Sequence, residues 1–299
     1  MELKNNFNGK YFVGNRKNSK YEESKIIIFP IGYEGTVSYN KGTINGPEAI
    51  INASQYLENY DEEFEIELNN IHTFKISKFD ENIKIETALD FVYENSKKIL
   101  NDNKFPLMIG GEHSLTLGLV RALKEKYNEF TIIQIDAHTD LDESYNNNKY
   151  SHASVMKRIN EIENINIIQL GIRTITKEIH QFVKNNNQIC TIFSHEIKQM
   201  PISKLIEKLI PNIKKNVFIT IDVDGFDPHI FPNTGTPEPN GLEWQYTINL
   251  FKQILKEKNI IGLDFMEFSS NKQEHYSDFS AAKLIFKLLC LIESNKKTI

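Results

Sequence analysis

The sequence predicts a three-layer α/β/α sandwich built on a mostly parallel sheet of about eight strands. From Lys25 onward, short β-branched runs alternate with longer amphipathic segments. Several of the short runs are apolar at consecutive positions, which suits strands that helices cover on both faces. Strands that alternate with helices along a chain form crossover units, and these crossovers place neighbouring strands parallel.

Each predicted element follows from the spacing of its apolar residues. The segment Glu81–Leu100, for example, has apolar residues at the spacing of one helix face, at Ile85, Leu89, Val92 and Ile99. The predicted strands are Ile26–Ile31, Ile71–Ile76, Pro106–Ile109, Phe130–Asp136, Ile165–Leu170, Ile189–Phe193, Val217–Asp222 and Ile260–Phe265. The predicted helices are Glu81–Leu100, Ser114–Lys126, Ser154–Asn160, Lys177–Asn186, Ser203–Ile210, Glu243–Lys256 and Ser277–Glu293.

The composition predicts a single domain without a membrane segment. Residues 1–24 are polar and rich in Asn and Lys, so we interpret them as an extension that precedes one domain, 25–299. This extension has no apolar leader-like core, and no run approaches the length of a membrane span, which favours a cytoplasmic location. The net charge of −5 argues against nucleic-acid binding. Cys190 and Cys290 lie too far apart for a disulfide framework and are expected to be small buried hydrophobes.

Ionisable residues are concentrated directly after three of the predicted strands. Gly110–Ser114 contains a Glu-His pair, Asp136–Asp140 contains Asp-Ala-His-Thr-Asp, and Asp222–Pro228 begins Asp-Val-Asp. Because ligand sites in parallel α/β sheets form beyond the C-terminal strand ends, these segments are expected to share one edge. Side chains two residues apart on a strand point the same way, so Asp136 pairs with His138 and Asp222 with Asp224. Asp140 joins them if the chain turns just after the strand.

This grouping predicts a site for two divalent metal ions. Four clustered aspartates would repel one another, and none of the three segments contains a Lys or Arg. Two divalent cations balance four carboxylates, and carboxylates that bridge two ions are typical of binuclear hydrolytic sites. Oxygen and nitrogen ligands without a thiolate suit Mn²⁺ better than structural Zn²⁺. One Asp or His at a strand end would more often be a turn or cap residue, so the hypothesis rests on the joint pattern.

The three segments resemble the signatures of the ureohydrolases, the family of arginases, agmatinases and their relatives. Further similar segments extend the resemblance from about Ile26 to the final helix. They are Gly35–Tyr39, Gly42–Thr43, Gly46–Pro47, Leu57–Asp61, Tyr150–Ser154, Gly171–Arg173, Gly235–Pro239 and Met266–Glu267. The resemblance implies an arginase-like fold, a homo-oligomer (trimer or hexamer) and a small guanidino substrate. It also implies two Mn²⁺ ions per subunit.

The resemblance assigns a role to each candidate site residue. One manganese would be held by His113, Asp136, Asp140 and Asp222. The other would be held by Asp136, His138, Asp222 and Asp224, with Asp136 and Asp222 bridging the two ions. A metal-bridged hydroxide would then attack the guanidinium carbon. His152 would carry a proton to the leaving amine, and Glu267 would pair with the guanidinium group. The remaining histidines are expected to be ordinary surface or capping residues.

The loops expected around the far end of the substrate favour agmatine. Tyr33–Asn45 and Leu141–Tyr150 are rich in Asp, Glu, Tyr and Asn, and their cations are Lys41 and Lys149. Arginases usually carry Asn where this chain has Asp142, and a carboxylate there would repel the carboxylate of arginine. We therefore expect Asp142, Glu143 and Glu34 to offer partners for an ammonium group.

Other functions remain open at this point. Within the same class, the substrate could be aminopropyl-agmatine, guanidinobutyrate or another guanidino acid, formiminoglutamate or arginine. A catalytically silent, metal-stabilised scaffold is a second class, and a metal-dependent deacetylase with a single Zn²⁺ is a third. The number of metal ions per chain distinguishes the three classes.

Overall fold

A parallel sheet forms the centre of the protein. The structure, a computed structural model, describes residues 2–5, 10–13, 19–80, 82–256, 258–270 and 274–296. The strands are β1 (Ile26–Gly32), β2 (Tyr60–Asp61), β3 (Ile66–Glu67), β4 (Ile71–Thr73), β5 (Ser77–Lys78), β6 (Phe105–Ile109), β7 (Phe130–Ile135), β8 (Ile165–Ile172), β9 (Ile189–Phe193), β10 (Asn216–Asp222) and β11 (Asn259–Met266). The main sheet runs β4-β1-β6-β11-β10-β7-β8-β9, with β5 also pairing with β1. Its neighbouring strands are parallel, so the predicted fold class and all eight predicted strands are confirmed.

Nine α-helices surround the sheet in the described part of the chain. They are α1 (Gly46–Ser54), α2 (Ile85–Asn101), α3 (Thr116–Lys126), α4 (Val155–Asn160), α5 (Lys177–Lys184), α6 (Ser194–Gln199), α7 (Ile202–Leu209), α8 (Trp244–Leu255) and α9 (Tyr276–Lys296). The seven predicted helices are present, although α2 begins at Ile85 and Glu81 lies outside the described residues. The prediction missed α1 and α6. No described helix is both long enough and apolar enough to cross a membrane.

The helices form two layers because each strand buries apolar side chains on both faces. Ile26 and Ile28 of β1 pack in one core with side chains of α1, α6, α7, α8 and α9. Ile27 and Phe29 of the same strand pack in a second core with side chains of α2, α3, α4 and α5. This alternation is the period-two pattern of a strand, and it produces the three layers that the sequence predicts.

The described parts of the predicted N-terminal extension pack against the domain. Asn5 pairs with Phe74 next to the edge strand β4, and Phe12 and Val13 are buried in the first core. The backbone nitrogen of Ser19 donates to the carbonyl of Ile71. The division of the chain at residue 24 stays a prediction.

A buried ion pair attaches the β2–β3 hairpin to the last helix. Lys287 of α9 is 7% exposed, and its Nζ lies 3.1 Å from the fully buried Asp61 carboxylate and 2.9 Å from Glu63. Lys252 of α8 binds the other oxygen of Glu63 at 2.9 Å, but this lysine is 37% exposed. Both lysines therefore bind the Glu63 carboxylate, Lys287 from a buried position and Lys252 from an exposed one.

We expect Lys287→Met to destabilise the protein by about 3–5 kcal/mol, because the Asp61 charge then stays buried without its counter-ion. Methionine keeps the apolar stem, so the loss reports on the charge. The matched change Lys252→Met removes an exposed pair and is expected to cost at most about 1 kcal/mol. Urea denaturation of both variants measures the difference, and equal losses would contradict this account.

Candidate metal centre and active site

The four strands that precede the candidate residues are neighbours in the sheet. Their order is β6-β11-β10-β7, although α-helices separate them along the chain. His113 follows β6, Glu267 follows β11, Asp222 ends β10 and Asp136 follows β7. Since all four strands are parallel, their carboxyl ends meet at one edge of the sheet. The structure therefore brings the three predicted segments together.

His113 faces three carboxylates in a buried setting. Its Nδ1 lies 3.0 Å from Asp140, 3.3 Å from Asp136 and 3.4 Å from Asp222. Its Nε2 is 2.8 Å from the Thr220 hydroxyl. Nδ1 is nevertheless buried without a hydrogen bond of acceptable geometry among the described residues. A lone pair on Nδ1 would repel these carboxylates, whereas a cation between them would be attracted by both, so the donor set fits a metal ion.

His138 belongs to a second group on the same side of the sheet. Its Nδ1 lies 2.9 Å from Asp224 and 3.8 Å from Asp136, and its side chain is 27% exposed. Asp136 accepts a hydrogen bond from the backbone of His138 at 2.6 Å. Two groups could each hold an ion, namely His113 with Asp136 and Asp140, and Asp136 with His138 and Asp224. Asp136 is common to both groups.

The charges of the site reflect crowding of buried carboxylates. Burial raises the pKa of Asp136 to about 7, and the charges of Asp140 and Asp224 add to this rise. Burial also raises the pKa of Asp222 well above its usual range. Burial opposes the charged form of His138, but the hydrogen bond and charge of Asp224 outweigh it and raise the pKa to about 10. Cations that displace protons from such carboxylates relieve this repulsion.

Two residues of the site have left-handed backbone conformations. Asp140 has a φ of 51°, and this turn returns its carboxylate to the cluster, as the sequence analysis requires. Glu267 has a φ of 60°, which is uncommon for a residue other than Gly, Asn or Asp. The backbone nitrogen of His113 donates to Glu267 Oε1 at 2.6 Å and helps to hold this conformation. Strained conformations of this kind cluster at functional sites.

A cavity of about 360 Å³ opens beside both histidine groups. Glu267 and His152 line it together with His138, Asp140, Asp222 and Asp224. Thr174, Ile175, Thr176 and Ile179 form another wall, and none of its described lining residues is Lys or Arg. The burial of Glu267, reinforced by the charge of Glu112, raises the pKa of Glu267 well above its usual range. The cavity thus combines acidic side chains with apolar residues.

The structure corrects two of the three acidic partners expected around this cavity. Glu34 is buried away from it, and its carboxylate accepts hydrogen bonds from the loop at Gly42, Thr43 and Ile44. Glu143 is 75% exposed and pairs with Lys157 and Arg158. Only Asp142 of the three lines the cavity. Burial and the nearby charge of Asp140 raise its pKa.

A model of the arginase family matches residues 24–290 of the sequence. The chain belongs to the arginase family. It is thus a ureohydrolase-type enzyme, which hydrolyses C–N bonds in amidino compounds, and the resemblance found in the sequence is confirmed.

Relatives with narrower names are similar over nearly the whole chain. The N(1)-aminopropylagmatine ureohydrolase of Synechocystis sp. is 35% identical over 94% of this chain and 93% of its own. The agmatinase of Pyrococcus horikoshii is 30% identical over 90% of this chain and 92% of its own. The crystal structure of the agmatine ureohydrolase of Thermoplasma volcanium superposes with a TM-score of 0.82 at 30% identity, covering 94% of each chain.

Sequence reasoning missed polar residues that support the site of this arginase-family chain. Gln134 Nε2 donates to Asp136 Oδ2 at 2.6 Å. The Thr220 hydroxyl lies 2.8 Å from His113 Nε2, the ring nitrogen that faces away from the aspartates. Each precedes an aspartate by two residues and lies on the same strand face, within an otherwise apolar run. A polar residue at a buried strand position was therefore the available signal.

Arg173 supports the same site through the backbone. Its guanidinium donates to the carbonyl oxygens of Asp224 and Glu238, both at 2.6 Å, and to that of Phe226 at 3.2 Å. Its burial lowers the pKa of this arginine. Gly225 lies within the same loop, where a Cβ would be 2.5 Å from the Asp136 nitrogen. Gly225 thus lets the loop after β10 pass close to Asp136, and Arg173 contacts both segments, since its backbone nitrogen donates to the Ala137 carbonyl at 2.9 Å.

One of the remaining histidines differs from its expected role as a surface or capping residue, and another lies in an acidic group on the surface. His72 is buried rather than exposed, with its Nδ1 3.0 Å from the Ser19 carbonyl. His229 lies between Asp227 and Glu243 in a third group that could hold an ion, but this group is largely exposed. Lys198 lies within 4.0 Å of both acidic residues and already supplies positive charge to them.

Proposed function

We propose that the protein hydrolyses agmatine to putrescine and urea at a binuclear manganese site. One observation carries the choice of substrate: a cavity beside the Asp and His cluster is lined by Asp142, and by no Lys or Arg among the described residues. A substrate with both a guanidinium and an ammonium matches Glu267 and Asp142, which both line this cavity. The carboxylate of arginine would meet no cationic partner there.

The proposed metal ligands are the six residues named from the sequence, which are His113, Asp136, His138, Asp140, Asp222 and Asp224. Two divalent cations bound there would lower the pKa of a water molecule and so supply the nucleophile for hydrolysis. Oxygen and imidazole donors without thiolate favour Mn²⁺ in this role. The Nδ1 of His113 supports the assignment, because it faces three carboxylates and has no hydrogen bond of acceptable geometry among the described residues.

Three side chains of the cavity would act on the substrate. Glu267 would accept two hydrogen bonds from the planar guanidinium and thereby orient its carbon toward the metal cluster. Asp142 would bind the distal ammonium, and the apolar walls at Ile175 and Ile179 would contact the methylene chain. His152 would donate a proton to the nitrogen of the leaving amine. The amine leaves as putrescine when the remaining carbon becomes urea.

Urea release from a panel of guanidino compounds tests the substrate. We expect kcat/KM for agmatine to exceed that for arginine by at least about tenfold, since arginine brings an unpaired carboxylate into the cavity. Asp142→Asn is expected to raise KM for agmatine by about tenfold or more, because a charged hydrogen bond is lost. Glu143→Gln is the matched control and should leave KM unchanged, since Glu143 faces solvent. Equal or faster urea release from arginine or guanidinobutyrate would overturn the assignment.

N(1)-aminopropylagmatine is the second candidate substrate. The relative from Synechocystis sp. carries that name at 35% identity. The hydroxyl groups of Thr174, Thr176 and Thr236 line the same cavity and could accept hydrogen bonds from a further amine. The same urea-release panel compares agmatine with N(1)-aminopropylagmatine. The compound with the higher kcat/KM is the better substrate.

The assembly and location also belong to this proposal. A trimer or hexamer is expected from the family resemblance, and light scattering of the purified protein measures the number of subunits. The cytoplasmic location stays a prediction.

A further inference from the structure

Glu112 and Thr36 belong to sequence motifs that neither the metal ligands nor the substrate contacts explain. Glu112 precedes His113 and is fully buried. Its Oε2 accepts hydrogen bonds from the backbone nitrogens of Gly35 at 2.6 Å and Thr36 at 2.7 Å. Its Oε1 accepts from the hydroxyls of Thr36 at 2.9 Å and Ser114 at 2.5 Å. Four donors fill the roughly four acceptor positions of an ionised carboxylate, so Glu112 acts only as an acceptor.

The Thr36 hydroxyl connects this carboxylate to His152. Besides Glu112, its oxygen lies 3.0 Å from the backbone nitrogen of His152 and 3.0 Å from the Nδ1 of the same residue. A hydroxyl has one hydrogen to donate and two lone pairs to accept. Since Glu112 only accepts, the hydrogen of Thr36 points to Glu112. Both contacts from His152 must then be donors, so Nδ1 carries a hydrogen.

We propose that Glu112 and Thr36 form a relay that positions His152 for proton transfer. The relay selects the tautomer of the neutral ring with hydrogen on Nδ1, which leaves the lone pair on Nε2 to take a proton from the attacking water and pass it to the nitrogen of the leaving amine. It also fixes the ring, because the backbone and the side chain of His152 bind the same hydroxyl. The ring of Tyr145, 5.4 Å away at an angle of 68°, contacts the imidazole from another side. Thr36 and Glu112 are thus positioning residues.

The contact to Thr36 also suits the ring with both nitrogens protonated. When Nε2 receives a proton, both ring nitrogens are donors, and the Nδ1–H bond to Thr36 strengthens. The hydroxyl that accepts this bond donates to a negative carboxylate, and hydrogen bonds in such a chain polarise one another. The same arrangement therefore serves both protonation states of His152. This inference rests on the role of His152 in the proposed function.

Thr36→Val tests the relay because valine has nearly the shape of threonine but lacks the hydroxyl. We expect kcat to fall about ten- to a hundredfold, as for a misoriented proton donor, with KM changing by less than about twofold. Thr36→Ser retains the hydroxyl and should restore kcat to within about threefold of the wild-type value. A wild-type kcat in Thr36→Val would overturn the proposal, as would equal losses in the valine and serine variants.

A double-mutant cycle shows whether Thr36 acts through His152. His152→Ala alone is expected to lower kcat by about a hundredfold. Adding Thr36→Val to it should change kcat by less than about twofold, because the residue that Thr36 positions is already gone. Independent, multiplying losses would overturn the relay.

The cycle is measured with the best substrate of the guanidino panel and with metal content determined for each variant. An error in the choice of agmatine is therefore visible in the panel and does not affect the cycle. An unchanged kcat in His152→Ala would overturn both the relay and the proposed role of His152.

Discussion

Asp136→Ala is expected to abolish urea release and to lower the number of metal ions bound per chain. Asp136 is the residue shared by the two groups that could hold an ion, and its carboxylate is fully buried. In the proposed site, its loss would remove a ligand from both ions and unbalance the charge of each. Changing residues that merely support metal ligands already costs about 10–100-fold in affinity or activity. We therefore expect activity to fall by at least about a thousandfold.

Elemental analysis and a urea assay measure these two effects on the same preparation. The wild-type protein should contain two ions per chain, lose activity on chelation and regain it best with Mn²⁺. Asp90→Ala, which changes an exposed aspartate on α2, is the control and should alter neither quantity. One ion or none per active chain would contradict the binuclear site, and a single Zn²⁺ or a silent scaffold would become the better description.

Glu267→Gln is expected to lower kcat/KM for agmatine by about a hundred- to a thousandfold, because two charged hydrogen bonds to the guanidinium become weaker neutral ones. The amide oxygen of glutamine can still accept the hydrogen bond that the His113 backbone donates to Oε1. The backbone turn at residue 267 and the neighbouring metal ligands should therefore be retained. Metal content is expected to stay at the wild-type level.

The shorter variant Glu267→Asp distinguishes the effect of the negative charge from the effect of the side-chain length. It keeps the negative charge but withdraws it from the cavity and from the His113 backbone, so its activity should also fall. Steady-state kinetics of both variants, with metal analysis alongside, provide the measurement. An unaltered kcat/KM in Glu267→Gln would show that another group binds the guanidinium.

Strands were the best-predicted elements, and the misses have physical causes. Strands covered on both faces need apolar residues at most consecutive positions, so β1, β7 and β10 are visible as mostly apolar runs. Helix α1 begins with Gly46-Pro47, a dipeptide that usually marks a turn, although proline also suits the first turn of a helix. Helix α6 begins at Ser194, directly after β9 ends at Phe193, so no loop in the sequence separates the two elements.

The identity of the candidate metal ligands could be predicted because it depends on local spacing and charge. Two aspartates or an aspartate and a histidine two residues apart share a strand face, and parallel strand ends share a sheet edge. The buried residues that support the ligands carry a weaker signal. Gln134 and Thr220 are isolated polar residues in mostly apolar strands. Their partners include residues far along the chain, which are Gln169 for Gln134 and His113 for Thr220.

The sequence by itself determined the sheet, the family and the group of aspartates and histidines at its carboxyl edge. Only the tertiary structure decided which acidic side chains face the cavity. Glu34, Asp142 and Glu143 look alike in the sequence, since all three are carboxylates in polar loops. Their positions in the structure differ. Glu34 accepts hydrogen bonds from backbone N–H groups of its own loop, Glu143 forms an ion pair with Arg158, and Asp142 lines the cavity. The direction of a loop side chain depends on contacts that form only when distant segments pack, so a local pattern does not contain it.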